Sequence, residues 1–449
     1  MGPATLAFLV VFTGTLIVAM LQGERPFYGD SGVYWALANS FTHTGHFSLL
    51  NFESRLRGYA LPLIYHLVQA LGNGVGWSQS SVAKLFNVAL FALIGAVLAP
   101  RLAETTWPQQ HWNVPRRIAL TLLLIVFWGG DLDYPLSDFP GLSLALLTLV
   151  AIAYPDRPSR MLTAGVSVGL AIDMRPAYLL LIPMLIFCVT STWFGQRGVQ
   201  HASFSHRMLC VGLLVLGFAV ASLPQSLSAH RHYKTWSFIP GATAHLSDTE
   251  LTYSLLLQRY DTFVAPPATA LPMYYLDEAG ARLLRRPITG TDEYLEIALE
   301  HPTVIAGLLM RHLVNGLDMR YSTVYVEHLD SGGQLWLRLA GFLVVFLALA
   351  RVLWRSARAS LGRAHWRYPV SLMACCFTAL FSGIETRYML PLWLLCCMLV
   401  LAPGWPNPIA PNEAGVRPLR TPATLAVSYP LFMVIVWYVV SGASAHVGN

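Results

Sequence analysis

Four short stretches set acidic or arginine side chains beside long apolar runs: GDSGVY from Gly29, GGDLDYPLSD from Gly129, DMRPAY from Asp173 and GIETRY from Gly383. A carboxylate suits activation of a hydroxyl. A guanidinium suits a phosphate, which its planar fork grips through two N–H groups. Together these groups describe transfer from a phosphate onto a hydroxyl, with the departing charge held by arginine. Asp30 and Asp138 are the candidate catalytic acids, and Tyr34, Arg57, Asp131, Asp133, Arg175, Glu385, Arg387 and Tyr388 the candidate substrate-binding residues.

Each also has a plainer reading. Asp30 falls in the first turn of a helix, as a cap or as a charge at the positive end of its dipole. Asp138 could cap the helix that Pro140 opens. Asp173 and Arg175 could pair across their turn, and Arg387 and Tyr388 could anchor at a membrane interface. Asp131 and Asp133 could bind a divalent cation through carboxylate oxygens, although a DxD triplet is common by chance. No other cofactor is expected.

These residues need positioning by a very apolar chain. Of 449 residues, 55% are hydrophobic and only 12% charged, about half the charge of a soluble domain; mean hydropathy is +0.53. The composition excludes secreted, disordered and nucleic-acid-binding classes and marks an integral membrane protein. The net charge of +6 then reflects cytoplasmic loops rather than a polyanion partner. Arg outnumbers Lys 27 to 2, as a GC-rich bacterial genome would produce. The six cysteines lie in apolar runs without metal-ligand spacing, so they are expected to be reduced packing residues.

A spanning helix needs about 20 apolar residues, or ~17 at the short end. Eleven candidate runs fall near 4–21, 81–99, 117–130, 139–154, 161–173, 176–194, 208–227, 335–353, 369–384, 388–403 and 423–441. The first lacks a basic leader and a clear cleavage site, so a retained helix is expected. Several runs are short, which a membrane tolerates where they border a water-filled cavity. Strict alternation puts Arg101, Arg116, Arg117, Arg157, Arg160, Arg197, Arg207, Arg351, Arg355, Arg358, Arg363, Arg367, Arg417 and Arg420 on one face, which must be cytoplasmic.

The expected fold is therefore one all-α polytopic membrane domain over 1–449, with about 11 transmembrane helices and exoplasmic juxtamembrane helices. Segments 22–80 and 228–334 face outward. GYALPLIYHLVQALG reads as an interfacial helix with Tyr59, Tyr65 and His66 at headgroup depth. In the second segment DTELTYSLLLQRY and TDEYLEIALEHPTVIAGLLMRHLVNGLD read as helical and VAPPATALP as a linker.

In this order and sidedness the motifs resemble the C-type membrane glycosyltransferases, the protein-mannosyltransferase-like superfamily that uses polyprenyl-phosphate sugars. The resemblance lies in YGDSGVYWALANSF, YPLSDFPGLSLALL, DMRPAYLLLIP, ETRYMLP and the His-Pro step of ALEHPTVIAGLLMRHL, and it covers residues 1 to about 400. It implies that Asp30 is the catalytic base or acceptor-positioning carboxylate, that Asp138 is the second acid, and that Arg175 and Arg387 bind the donor phosphate. The implied partners are a polyprenyl-phosphate-linked sugar, the lipid bilayer, and an acceptor glycan, lipid or protein; no nucleic acid takes part. The implied place is a bacterial inner membrane, with a cytoplasmic N-terminus and a periplasmic site. Two departures stand out. Many relatives pair two acids in the first outer loop, whereas Ser31 follows Asp30 here. Their large C-terminal soluble domain is not expected, which leaves acceptor recognition to 228–334 or to a partner.

Other classes compete. A transporter or flippase would place polar residues near the midplane of several spans, whereas these cluster at outer ends. A lipid-linked oligosaccharide polymerase or ligase would also use outer arginines, on a diphosphate. A non-catalytic scaffold could keep the fold alone.

Overall fold

The computed structural model describes residues 2–195, 203–242, 246–266, 269–329, 331–353, 365–403, 421–440 and 445–447. The chain is mostly helical, and each of the eleven apolar runs carries a helix. In chain order, α1 (Pro3–Leu21) is followed by α2 (Gly29–Leu37), α3 (Ala60–Val75), α4 (Gln79–Thr106), α5 (Val114–Trp128), α6 (Asp138–Ile152), α7 (Pro158–Met174), α8 (Leu181–Gly195) and α9 (Phe204–Tyr233). The second long segment holds α10 (Leu246–Leu256), strands β1 (Leu257–Ala265) and β2 (Thr269–Leu276), α11 (Thr291–Glu300) and α12 (Pro302–Gly316). Helices α13 (Ser331–Leu353), α14 (Arg367–Phe377), α15 (Leu390–Leu401) and α16 (Thr421–Val440) close the chain.

Among the described residues four helices are long and apolar enough to cross a membrane: α1, α4, α9 and α13 over Gln334–Leu353. Their outward faces are aliphatic. Leu9, Val10, Ile17 and Val18 on α1 and Val215, Leu216, Val220 and Leu223 on α9 are exposed, which a lipid solvent favours and water does not. All six cysteines are buried thiols outside any disulfide. Arg197, Arg355, Arg358, Arg363, Arg417 and Arg420 lie outside the described residues.

Small residues let α7 lie close against α9. A Cβ on Gly165 would meet the Leu214 carbonyl oxygen at 2.0 Å, and one on Gly217 the Leu162 carbonyl oxygen at 2.5 Å. Gly165 and Gly169 form a small-xxx-small stripe of the kind that brings helix backbones together. The tight crossing fixes the end of α7, where Asp173 and Arg175 sit. Replacing Gly165 with Leu would force the pair apart and move that end.

Two expectations need correction. Helix α3 is present, but Tyr59 and Tyr65 are buried in protein, not held at headgroup depth. Tyr59 Oη donates to the Ala221 carbonyl at 2.8 Å and Tyr65 Oη to the Leu136 carbonyl at 3.1 Å. His66 Nδ1 lies 2.9 Å from the Ala38 carbonyl oxygen. The outward face of α3 is Leu67, Leu71 and Val75. Burial of the tyrosine hydroxyls is tolerated because each finds an acceptor.

The other correction concerns VAPPATALP, which is not a linker. Its described residues form the facing ends of the β1–β2 hairpin, with Val264 opposite Ala270 and Ala265 opposite Thr269, while Pro267 and Ala268 lie outside the described residues; further along, Tyr260 stands opposite Tyr274 and Thr262 opposite Pro272. Alternation in Tyr260, Thr262 and Val264 suits a pleated strand, so the preceding helix stops at Leu256. Tyr325–Val326 adds in parallel to β1, and Ala445–Val447 antiparallel to β2. The later helical stretch breaks at His301, because Pro302 opens a new helix and disfavours a helical residue before it.

The hairpin is bolted down by buried charge. Arg259 donates to both oxygens of Asp261 at 2.7 and 2.9 Å and to the Asp318 carbonyl at 2.6 Å. The Asp318 carboxylate accepts from Arg320 at 2.8 Å and Arg338 at 2.7 Å. Every charge is thus paired, as burial demands.

Candidate functional site

Helix α2 presents Asp30. The start of α2 is capped by its neighbours: Ser31 Oγ accepts from the Tyr28 N–H at 3.0 Å and donates to the Tyr28 carbonyl at 2.6 Å. Tyr325 Oη locks the same turn, donating to the Tyr28 carbonyl at 2.7 Å and accepting from Ser31 N–H at 3.0 Å. Asp30 is therefore no cap. Its Oδ1 accepts from Arg57 Nη2, and its Oδ2 accepts from Arg387 Nη2 at 2.9 Å. Burial would raise the Asp30 carboxyl, but Arg387 and Arg57 outweigh it and hold it below its ordinary value.

The cluster continues from Arg387. Glu385 Oε1 accepts from Arg387 Nη2 at 3.0 Å and from Tyr388 Oη at 3.1 Å. Arg387 Nη1 lies 4.0 Å from Asp138 Oδ2. Asp138, the first residue of α6, is not a cap either; its Oδ1 accepts from Arg175 Nη1. The Arg175 and Arg387 guanidiniums lie 5.0 and 5.5 Å from the Tyr388 ring centre, and Arg57 lies 5.2 Å from that of Tyr34. The interfacial-anchor reading of Arg387 and Tyr388 therefore fails, since both are committed to this cluster.

Eight of the ten residues singled out from sequence thus meet: Asp30, Tyr34, Arg57, Asp138, Arg175, Glu385, Arg387 and Tyr388. Asp131 and Asp133 do not join them. Asp133 is held by Lys84 at 3.1 Å and Arg25 at 3.2 Å. Asp131 lies behind the cluster and accepts from the Val324 N–H at 2.8 Å. Burial, then the nearby Asp138 charge, push its carboxyl up to about 8. The two acids diverge along a tight 3₁₀ turn, so they do not make a shared cation site. Among the described residues no group of three or more His, Cys, Asp or Glu is arranged to hold a metal ion.

The expected Asp173–Arg175 pair is also absent. Asp173 Oδ2 accepts from the Ala60 N–H at 2.7 Å, and Arg175 turns to Asp138. A Cβ at Gly58 would sit 2.1 Å from the Asp173 carbonyl oxygen, so only glycine allows this backbone contact. Asp173 thereby fixes the loop that delivers Arg57.

Two cavities, of about 480 and 430 Å³, meet at the cluster. Both are walled by Asp30, Arg57, Glu250, Arg387 and Tyr388. The first adds Tyr253, Tyr260, Tyr274 and Tyr325. The second adds Arg175 and an apolar lining of Met174, Pro176, Leu251, Ala379 and Phe381. A larger void of about 730 Å³ lies between α1 and α5 and touches none of the cluster.

Sequence reasoning missed Glu250 and the four tyrosines. Glu250 sits on α10, a helix read correctly as a helix, but nothing in its neighbourhood marks an active group. Its place at the site comes from α10 packing back against Thr378–Phe381 and β1.

No protein-family model matches this sequence, and no curated protein matches it.

Proposed function

We propose that this chain is a C-type membrane glycosyltransferase that moves a sugar from a polyprenyl-phosphate donor to an acceptor on the outer face of the membrane. The observation that carries this reading is Asp30 held between Arg57 and Arg387 in the wall shared by two cavities of different chemistry. The apolar cavity, with Arg175 and Arg387 in its wall, suits a phosphate on an isoprenoid chain. The tyrosine-lined cavity suits the acceptor, because tyrosine offers an apolar face for stacking and a hydroxyl for hydrogen bonding. In this reading all eleven apolar helices cross or enter the membrane and the cluster faces the exoplasmic side, a sidedness that the arginine distribution in the sequence supports. The bacterial inner membrane is the corresponding location.

In this reading the acceptor hydroxyl forms a bond to the sugar's anomeric carbon. The bond from that carbon to the phosphate oxygen breaks, and its electron pair leaves with polyprenyl phosphate. Arg175 and Arg387 stabilise the charge that builds on the leaving oxygen. Asp30 aims Arg57 and Arg387 at the reacting groups. The three arginines and the acids Asp30, Asp138 and Glu385 cancel in charge. A phosphate is therefore recruited by bidentate hydrogen bonding rather than by a net positive field.

The test avoids the unknown acceptor. The protein in nanodiscs is offered a panel of polyprenyl-phosphate and polyprenyl-diphosphate sugars, and release of the free lipid carrier is followed with water as acceptor. Monophosphate release by wild type that Asp30→Asn slows by on the order of 10²-fold or more supports the reading. Turnover of diphosphates alone moves the assignment to a polymerase or ligase, and silence with every donor moves it to a transporter.

A further inference from the structure

The transfer just described releases a proton from the acceptor hydroxyl, and Asp30 is poorly placed to take it. Both Asp30 oxygens already accept from guanidinium groups, and two adjacent cations make a carboxylate a weak base. Asp138 is bound by Arg175 and lines neither cavity. Glu385 is bound by Arg387 and by the Tyr388 hydroxyl. Glu250 differs from all three. It is the remaining carboxylate in the wall common to both cavities, and among the described residues no ion pair holds it. Gly383 lies beside it in the cavity wall, and its backbone N–H pulls the carboxyl down without neutralising it.

We propose that Glu250 is the general base of the transfer, and that Asp30 positions the arginines. The assignment rests on the glycosyl-transfer reading. In the step, the acceptor O–H bond breaks and its proton passes to the Glu250 carboxylate. The hydroxyl oxygen bonds to the anomeric carbon, and the electron pair of the broken carbon–oxygen bond departs with polyprenyl phosphate. Glu250 then returns the proton to solvent through the open cavity.

The surroundings suit this task. Burial and then the Glu385 charge push the Glu250 carboxyl up to about 7, against the opposing pull of Arg57 and Arg387. Tyr388 also faces it. From the other elements packed on α10, the cavity walls receive only Thr291 of α11, Tyr260 and Thr262 of β1, and the uncharged turn 378–381. A base that titrates near the working pH combines availability with driving force.

Initial rates of carrier release are measured with a donor that wild type turns over, across about two pH units either side of 7. Wild-type kcat should rise with pH through about 7. Glu250→Gln should lose that rise and fall on the order of 10²-fold or more in kcat, with donor KM and melting temperature near wild type. Glu250→Asp should keep the rise at a lower rate. Asp30→Asn should slow turnover and keep the rise as well. A pH rise unchanged in both Glu250 variants overturns the assignment, and one lost only in Asp30→Asn gives the proton to Asp30. Wild-type protein that turns over no donor defeats the parent reading, and the role of Glu250 with it.

Discussion

Two networks of arginine and acid lie near each other in this molecule, and they are built to opposite ends. Around Asp318 the carboxylate is fully enclosed, with its side chain 0% exposed and both oxygens taken by Arg320 and Arg338. Arg259 beside it borders only a 20 Å³ void. Around Asp30 the same pairing chemistry opens onto two cavities, and the Asp30 side chain is 27% exposed. Charge pairing alone does not separate a structural brace from a reactive site. Access does: the Asp318 carboxylate is enclosed, and the Asp30 carboxylate opens onto two cavities.

The sharpest way to break the comparison is to remove the central acid of each network. Asp318→Ala leaves Arg320 and Arg338 without their buried partner. Losing one member of a buried pair costs about 3–5 kcal/mol, so the expected result is a collapse in folded yield and a large drop in melting temperature. Asp30→Asn should do the reverse. Arg57 and Arg387 can be hydrated through the cavities, so melting changes little, while turnover falls on the order of 10²–10³-fold, the scale of losing one preorganised electrostatic contact. Equal loss of stability in both variants would make the Asp30 cluster a second brace.

Arg175→Lys is the next smaller effect. A lysine keeps the charge but loses the planar fork. One charge-assisted hydrogen bond is worth about 1.5–3 kcal/mol, so donor KM should rise roughly 10- to 100-fold, with kcat less affected. A matching Arg338→Lys should leave KM alone and lower melting temperature instead. If Arg338→Lys changed KM, the brace would be coupled to the site.

How much of this was legible in the sequence follows the same division. The helices were legible, because apolar length is a local signal that packing does not reverse. The Asp30, Asp138, Arg175 and Arg387 grouping was legible as a set of residue types at turns beside apolar runs. The partners were not. Asp173 and Arg175 look like a pair in sequence, yet the close Gly58 backbone takes Asp173 and frees Arg175 for Asp138. Asp131 and Asp133 look like a cation site, yet the turn sends one to Lys84 and the other to the Val324 amide. The hairpin was missed because the three prolines and three alanines of VAPPATALP read as a linker beside the short Tyr260–Thr262–Val264 alternation. Glu250 was missed because its place at the cavities comes from long-range packing alone.

Asp131 gives the smallest expected effect and sharpens the comparison from just behind the Asp30 cluster. It is buried like Asp318 but has no arginine of its own, and it accepts the Val324 amide instead. Its carboxyl is pushed up to about 8 from an ordinary 3.8. The folded state therefore binds a proton that the unfolded state gives up between those values, and the stability from this group falls as pH rises through that window. Asn cannot ionise, yet its side-chain oxygen still accepts from Val324. Asp131→Asn should then match wild type near pH 4 and become progressively more stable than wild type as pH rises toward about 8. Parallel melting curves across that range would mean that Asp131 stays ionised and is paired more strongly than the Val324 contact alone allows. A growing gap would show that a buried carboxylate here stays charged where an arginine holds it, as at Asp30 and Asp318.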